Sequence, residues 1–488
     1  MKPELHIRKS TNEALRNWHG KEKTALELLQ IVGKLRFEYA VELIFFRNEI
    51  YDVRPSQLIA MHGIAKNYGD DTITIKDSLE IARAINELND LLPARIDLGK
   101  LNVEWIQSNG KYDSIQEFVG DKLLTFQGVT ENLDSRDVVL YGFGRIGRLL
   151  ARRIISLTGS GEQLRLKAIV LRPKLEDRQE EMQKRADLLR VDSVHGKFQG
   201  SVEVDGDYFI INGNKVAVIF AKSPSDVPYQ HYDIQHALLI DNTGVWRDKK
   251  GLSQHLVNEE IKTVLLTAPG KDIPNIVHGI NASTADVNKE EIFSAASCTT
   301  NAIVPAIKLI DENFGITKGH IETIHAYTSD QNLLDNFHKK PRRGKGAATN
   351  MVLTTTGAAK AVAKILPHLE GKLTGNSVRV PTPNVSLAIM NLHLNKATTA
   401  DQVNNIIKDA SLFGDLVEQL HVSTSTEYVS SNAVGMTSTC VIDAPSTLVS
   451  DDGKSLTIYA WYDNEFGYTC QVVRFAKHLA GVRRKSYY

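Results

Sequence analysis

A short apolar strand, Val138 to Tyr141, runs into Gly142-Phe-Gly144-Arg-Ile-Gly147 and then into a basic, apolar helical segment. A second strand, Leu164 to Leu171, follows about one helix length later. No other stretch restricts the fold as tightly, because strand, glycine turn, helix and strand form a βαβ unit that seeds a parallel sheet. Gly142 permits the tight turn, Gly144 lets a pyrophosphate approach the backbone, and Gly147 allows the helix to pack close to the strand. The helix N-terminus then faces the phosphates with unpaired N–H groups. An NAD-binding unit of this kind ends its second strand on an acid that holds the ribose 2′-hydroxyl. Here the strand ends Val170-Leu171-Arg172, with no acid before Glu176. Either Arg172 neutralises a 2′-phosphate, which leans the site toward NADP or dual use, or it is solvated and the ribose goes unread.

Ser297-Cys298-Thr299-Thr300-Asn301 is the second informative stretch. Strand-like Ile292 and Phe293 precede it, and Ile303, Ile307 and Ile310 recur behind it at helical spacing. The helix should therefore begin near Cys298, where a helix N-terminus favours thiolate over thiol. A thiolate there suits covalent catalysis on a carbonyl. The competing reading is a small buried residue at the start of a core helix.

At 488 residues, two or three domains are expected. Lys+Arg and Asp+Glu both number 58, so net charge gives no reason to expect nucleic-acid or anionic-membrane binding. The three cysteines are too few for a disulfide framework and fit a reducing compartment. With no apolar signal core and no segment long enough to span a bilayer, a cytoplasmic protein is expected, and no metal cluster stands out. Residues 1–136 read as an all-α extension, with Leu28, Val32 and Leu35, then Ile81, Ile85 and Leu88, at helical spacing and a capping-box start at Ser114 to Glu117. Asp70-Asp71 helps to punctuate it. A doubly wound, Rossmann-type cofactor domain is expected over 137–297, with strand candidates Val216 to Phe220, Ala237 to Ile240 and Thr263 to Leu266. An α+β catalytic domain with a mixed sheet is expected over 298–470, from alternating runs such as Val385 to Leu392 and Ser455 to Trp461. The last helix, within 471–488, should pack back on the cofactor domain. Gln179 to Lys184 reads as a solvated face or insertion.

Seven motifs, in order, resemble the phosphorylating glyceraldehyde-3-phosphate dehydrogenases. They begin at Tyr141 (YGFGRIGR), Asp192 (DSVHGKF), Ser297 (SCTTN), Ile324 (IHAYTSD), Thr355 (TTGAAK), Arg379 (RVPTPN) and Trp461 (WYDNE). The resemblance spans nearly everything from Asp137 to Val482. It implies Cys298 as nucleophile and His325 as general base. It implies Thr328, Asp330 and Arg379 for the substrate phosphate, and Ser297, Thr299, Thr356 and Gly357 for inorganic phosphate. Asn464 would orient the nicotinamide, and Arg145, Ile146, Lys222, Thr243, Gly244 and Thr267 would contact the rest of the cofactor. The expected reaction is reversible oxidation of glyceraldehyde 3-phosphate to 1,3-bisphosphoglycerate through a thiohemiacetal and a thioester, in glycolysis or gluconeogenesis. A homotetramer is implied by resemblance only.

Several positions depart from the family pattern. Lys222 replaces a common arginine, Asn336-Phe337 replaces a proline, and Ala302 replaces a second cysteine. The stretch from Pro173 to Arg190 is longer than usual, and the extension has no counterpart in the ordinary family chain. Two alternatives stay open. One is erythrose-4-phosphate dehydrogenase, against which the intact motif at Thr355 to Lys360 argues. The other is a scaffold or regulatory protein built on the same fold, with the extension as its working part.

Overall fold

The computed structural model describes residues 3–64, 73–128, 135–159, 161, 163–354 and 357–488. Asp70-Asp71 and Thr355-Thr356 lie outside them. The chain divides into one compact unit of residues 1–133 with 484–488, and a second of residues 134–483.

In the first unit, helices Pro3–Glu38, Pro55–Ile64, Ile75–Glu87, Leu98–Gln107 and Ile115–Lys122 accompany a four-stranded sheet. That sheet corrects the all-α expectation. Its order is Asn48–Glu49, Glu42–Phe45, Ala94–Asp97, Lys485–Tyr487. Sequence reading misses the hairpin because its two-residue turn, Phe46-Arg47, has positive φ (42° and 61°) without the usual Asn-Gly signal. Buried Asp97 supplies the missing stabilisation, accepting the Phe46 and Arg47 N–H groups at 2.8 and 2.7 Å. Gly99 lets this turn sit close, since a Cβ there would meet the Phe46 ring at 2.7 Å. Ser114 caps Ile115–Lys122 by accepting the Glu117 N–H at 3.1 Å. Glu117 returns to the Asp113 N–H, so the box closes one residue early.

The second unit carries two eight-stranded sheets. In the first, six parallel strands lie in the order Ile292–Ser294, Ile261–Leu266, Ala237–Asp241, Arg136–Tyr141, Leu164–Leu171, Asn214–Phe220. Numbered by sequence this is the doubly wound 3-2-1-4-5-6 arrangement. Its direction reverses between Arg136–Tyr141 and Ala237–Asp241, which opens a crevice at their carboxyl ends. Helix Phe466–Leu479 packs against this layer, with Tyr468, Val472, Phe475 and Ala476 in one core with Val138, Leu140, Leu150 and Ile154. The 179–184 stretch is not simply solvated. It opens helix Arg178–Arg190, where buried Glu181 accepts the Lys174 and Leu175 N–H groups at 2.8 and 3.0 Å.

The main path of the second sheet runs Val352–Thr354, Leu373–Val380, Ile316–Ala326, Ser386–Leu394, Ser455–Tyr462, Cys440–Asp443, Leu420–Ser423. Its pairings are mixed, with Ile316–Ala326 parallel to Leu373–Val380 and antiparallel to Ser386–Leu394. Helices Cys298–Phe314 and Ala358–Ile365 share a core with it.

Candidate active site

Ala296 turns the chain at φ 56°, and Ser297 caps helix Cys298–Phe314 by accepting the Thr300 N–H at 3.0 Å. Half-buried Cys298 is thereby the first helical residue. His325 lies near the end of strand Ile316–Ala326 and is register partner to Arg379 on the adjacent parallel strand. Cys298 Sγ and His325 Nε2 are 3.6 Å apart. Arg379 Nη1 lies 2.7 Å from His325 Nδ1 and 2.8 Å from the Ala326 carbonyl oxygen. His325 Nδ1 is also 2.7 Å from the Ala326 carbonyl oxygen, so it accepts from Arg379 in the tautomer with its proton on Nε2 and donates to Ala326 in the other.

The electrostatics correct one expectation. Burial pushes the Cys298 thiol above its ordinary value despite the helix end and the nearby Arg379 charge. Burial, with Arg379, also pushes His325 down to about 3. Buried His278 is likewise pushed down to about 3 by burial. Both histidines are held neutral when folded and take protons more readily when unfolded. Their contribution is therefore fully present above about pH 6.5 and is lost as pH falls toward 3. Each should cost about 2 kcal/mol of stability by pH 5. The expected result is a melting temperature several degrees lower at pH 5 than at pH 7, with the drop reduced in a His278→Gln variant. Scanning calorimetry across that range is the check.

Of the residues expected at phosphate, Thr328 donates its hydroxyl to Asp330, and Asp330 is ion-paired with Arg343. Thr299 Oγ1 is 3.0 Å from the Tyr462 hydroxyl, and Ser297 Oγ is 2.7 Å from Thr300 Oγ1, so both hydroxyls already have partners within the chain. Gly357 caps helix Ala358–Ile365 without a side-chain bond and with open space at its Cβ position. Thr356 lies outside the described residues.

The dinucleotide crevice fits its expected occupant. Gly142 has φ 96°, and a Cβ on Gly147 would meet the Gly142 carbonyl oxygen at 2.4 Å. Around Gly144 nothing lies within 4 Å of a Cβ position, the open cradle a pyrophosphate needs. Gly144 caps helix Arg145–Ser156 with no side-chain bond, so the first N–H groups, including those of Arg145 and Ile146, have no side-chain acceptor there. Across the crevice Thr243 donates N–H and Oγ1–H to buried Asp241 at 2.8 and 2.7 Å, which fixes the turn into Gly244. Thr267 Oγ1 donates to the Asp241 carbonyl oxygen at 3.0 Å. Arg172 and Lys222 are exposed at neighbouring strand ends, with Arg172 Nη2 3.4 Å from the Lys222 carbonyl oxygen. Asn464 accepts the Ser386 hydroxyl at 2.9 Å, and Ser386 in turn accepts the Ala326 N–H at 3.1 Å.

Sequence reading did not single out four residues that contact the expected site residues. The Arg145 guanidinium is taken by Glu465 at 2.5 Å and by Asp192 at 3.1 Å. His195 joins the same cluster, 3.2 Å from Glu465. Asp192, His195 and Glu465 sit inside quoted motifs, which was the available signal. Arg343 stands in the basic run Lys339 to Arg343, which reads as ordinary surface charge.

A doubly wound dinucleotide domain joined to a mixed-sheet domain with paired cysteine and histidine defines a two-domain, nicotinamide-dependent dehydrogenase. The comparisons narrow that class. Residues 136–249 match the model for the glyceraldehyde 3-phosphate dehydrogenase NAD binding domain, and residues 297–464 match that for its C-terminal domain. The chain belongs to the glyceraldehyde-3-phosphate dehydrogenase family. It is 50% identical over 419 residues to a glyceraldehyde-3-phosphate dehydrogenase-like protein of Pseudomonas aeruginosa, covering 85% of this chain and 89% of that one. Glyceraldehyde-3-phosphate dehydrogenase 2 of Bacillus subtilis is 38% identical and that of Synechocystis 39%. Each of these covers 70% of this chain, with 96% and 98% of their own lengths matched. The 419 residues shared with the Pseudomonas protein exceed the 134–483 unit, so part of the N-terminal unit is common to both. Among the described residues no helix is long and apolar enough to cross a membrane.

Proposed function

We propose that the protein catalyses the phosphorylating, reversible oxidation of glyceraldehyde 3-phosphate to 1,3-bisphosphoglycerate. The observation that carries this reading is Cys298 Sγ at 3.6 Å from His325 Nε2, with Arg379 on the far side of the same ring. An anionic substrate draws Arg379 toward its phosphate. Nδ1 is then free to carry the ring proton toward the Ala326 carbonyl oxygen, 2.7 Å away, and the Nε2 lone pair turns to Sγ. His325 takes the thiol proton as sulfur adds to the aldehyde and returns it to the former carbonyl oxygen, giving a thiohemiacetal and a neutral imidazole again. His325 next removes the hydroxyl proton as the carbonyl re-forms, leaving a thioester on Cys298. NAD(P), when bound, supplies the hydride acceptor. Inorganic phosphate attacks the thioester, releases the acyl phosphate and returns the thiolate. Thr328, Asp330 and Arg379 serve the substrate phosphate, and Gly357, Thr356, Ser297 and Thr299 border the attacking one. The Gly142–Gly147 turn, Thr243, Gly244, Thr267, Lys222 and Asn464 hold the cofactor. Exposed Arg172, with no acid at the strand end, favours NADP or dual use over strict NAD.

Assembly belongs to the same reading. Leu333, Leu334 and Phe337 are 75%, 78% and 88% exposed on one segment of the catalytic domain, a cost best met by a second copy of the chain in a homotetramer.

Mixing protein, cofactor and glyceraldehyde 3-phosphate without inorganic phosphate tests the covalent step. A burst of about one reduced cofactor per chain is expected, together with an acyl adduct on Cys298 by mass spectrometry, with NADP at least as effective as NAD. No burst and an unmodified Cys298 would contradict the reading.

A further inference from the structure

Helix Pro3–Glu38 has 36 residues, a length of about 54 Å at the helical rise, and its two halves are used differently. In the second half Ala25, Leu28, Val32 and Leu35 are buried, and the helix packs on Pro55–Ile64 and Ile75–Glu87. Their spacing is that of a heptad seam. The same seam runs back through Lys21, Trp18, Ala14 and Thr11, yet residues 11–20 are all exposed. Trp18 is 40% exposed, and Leu15, on the flank of the seam, is 51% exposed. Gly20 stands inside this stretch with open space at its Cβ position. A helical segment with no packed face and an interior glycine gains little from propensity alone. Within one chain, then, the seam continues beyond anything that covers it.

We propose that residues 11–24 pair antiparallel with the same segment of a second copy of the chain. The two-fold axis passes at residue 16, an outward heptad position. Ala14 then faces Trp18 of the other copy, the small residue making room for the ring, and Thr11 faces Lys21. On one flank Leu15 meets Leu15, and on the other Asn17 meets Asn17. Arg8 falls at the position opposite Glu22, once on each side of the axis. Size and charge both select this arrangement. A parallel pair would set Lys21 against Lys21 and Trp18 against Trp18. Sliding the antiparallel pair by one heptad in either direction sets Leu15 against a charged residue, Glu22 or Arg8. The centred register alone joins apolar to apolar and cation to anion. This contact between copies does not depend on the reaction proposed above.

The test is disulfide cross-linking of the full-length protein under mild oxidation, read on non-reducing gels. The wild-type chain is the blank, since Cys440 and Cys470 are buried and Cys298 is half-buried. Asn17→Cys should give a covalent dimer at least tenfold faster than Thr24→Cys. In the centred register residue 17 lies beside its mate, whereas residue 24 lies about 24 Å along the pair from its own. Leu15→Lys, added to Asn17→Cys, should slow that cross-link at least tenfold by setting two charges together. Leu15 is exposed in the single chain, so this substitution leaves the packing of the first unit intact. Failure of Asn17→Cys to cross-link, or cross-linking at 24 as fast as at 17, overturns the inference, the second because it marks parallel helices. So does a cross-link at 17 that Leu15→Lys leaves unchanged, which is the mark of chance collision.

Discussion

Replacing Cys298 by serine is expected to lower phosphate-dependent turnover by roughly 10⁴-fold or more, close to complete loss. The substitution keeps the size and the helix start, since the cap belongs to Ser297 and not to residue 298. What it removes is the sulfur. A serine hydroxyl at this position has only a neutral imidazole as base, and burial disfavours its anion still more than that of a thiol. The crevice around Gly144 does not depend on residue 298, so cofactor binding, read by fluorescence titration, should stay within about twofold. Loss of cofactor affinity in step with turnover would mean that Cys298 serves the fold and not the chemistry.

The second large effect belongs to His325. His325→Gln should reduce kcat by roughly 10²- to 10⁴-fold, the range for losing a positioned general base. It should also change the pH dependence of Cys298 alkylation by neutral iodoacetamide. In the ligand-free wild-type protein the rate should climb with pH through and beyond neutrality, because burial holds the thiol above its ordinary value. Glycerol 3-phosphate should move that climb to lower pH in the wild-type protein by releasing Nδ1 from Arg379. The glutamine variant has no titrating base to release, so its climb should not move. A wild-type profile insensitive to glycerol 3-phosphate would contradict the coupling between the phosphate pocket and the base.

The strands of the second unit were the most legible part of the fold. Leu164–Leu171 matches its expected bounds, and Ala237–Asp241 and Ser455–Tyr462 differ by a single residue, because buried parallel strands and alternating antiparallel ones leave plain apolar patterns. The first unit was less legible. Glu42–Phe45 is four residues long, and its turn is stabilised by Asp97, some fifty positions away, which no local signal reports. In the site, the cysteine and the glycine turn could be read from local pattern. The histidine needed the family resemblance, because its pairing with Cys298 depends on how separate strands and helices meet. The thiol's ionisation was misjudged for a related reason. A helix N-terminus is visible in sequence, whereas the burial that outweighs it is a tertiary property. Arg343 escaped notice because an arginine in a basic run shows its value only beside Asp330 and Arg379.

The measurement that bears most directly on the account is the steady-state rate of glyceraldehyde 3-phosphate oxidation, with NADP and with NAD, as inorganic phosphate is titrated from zero. The account predicts negligible steady turnover without phosphate, saturable acceleration with it, and NADP performing at least as well as NAD. Turnover independent of phosphate, or faster turnover of erythrose 4-phosphate than of glyceraldehyde 3-phosphate, would contradict it.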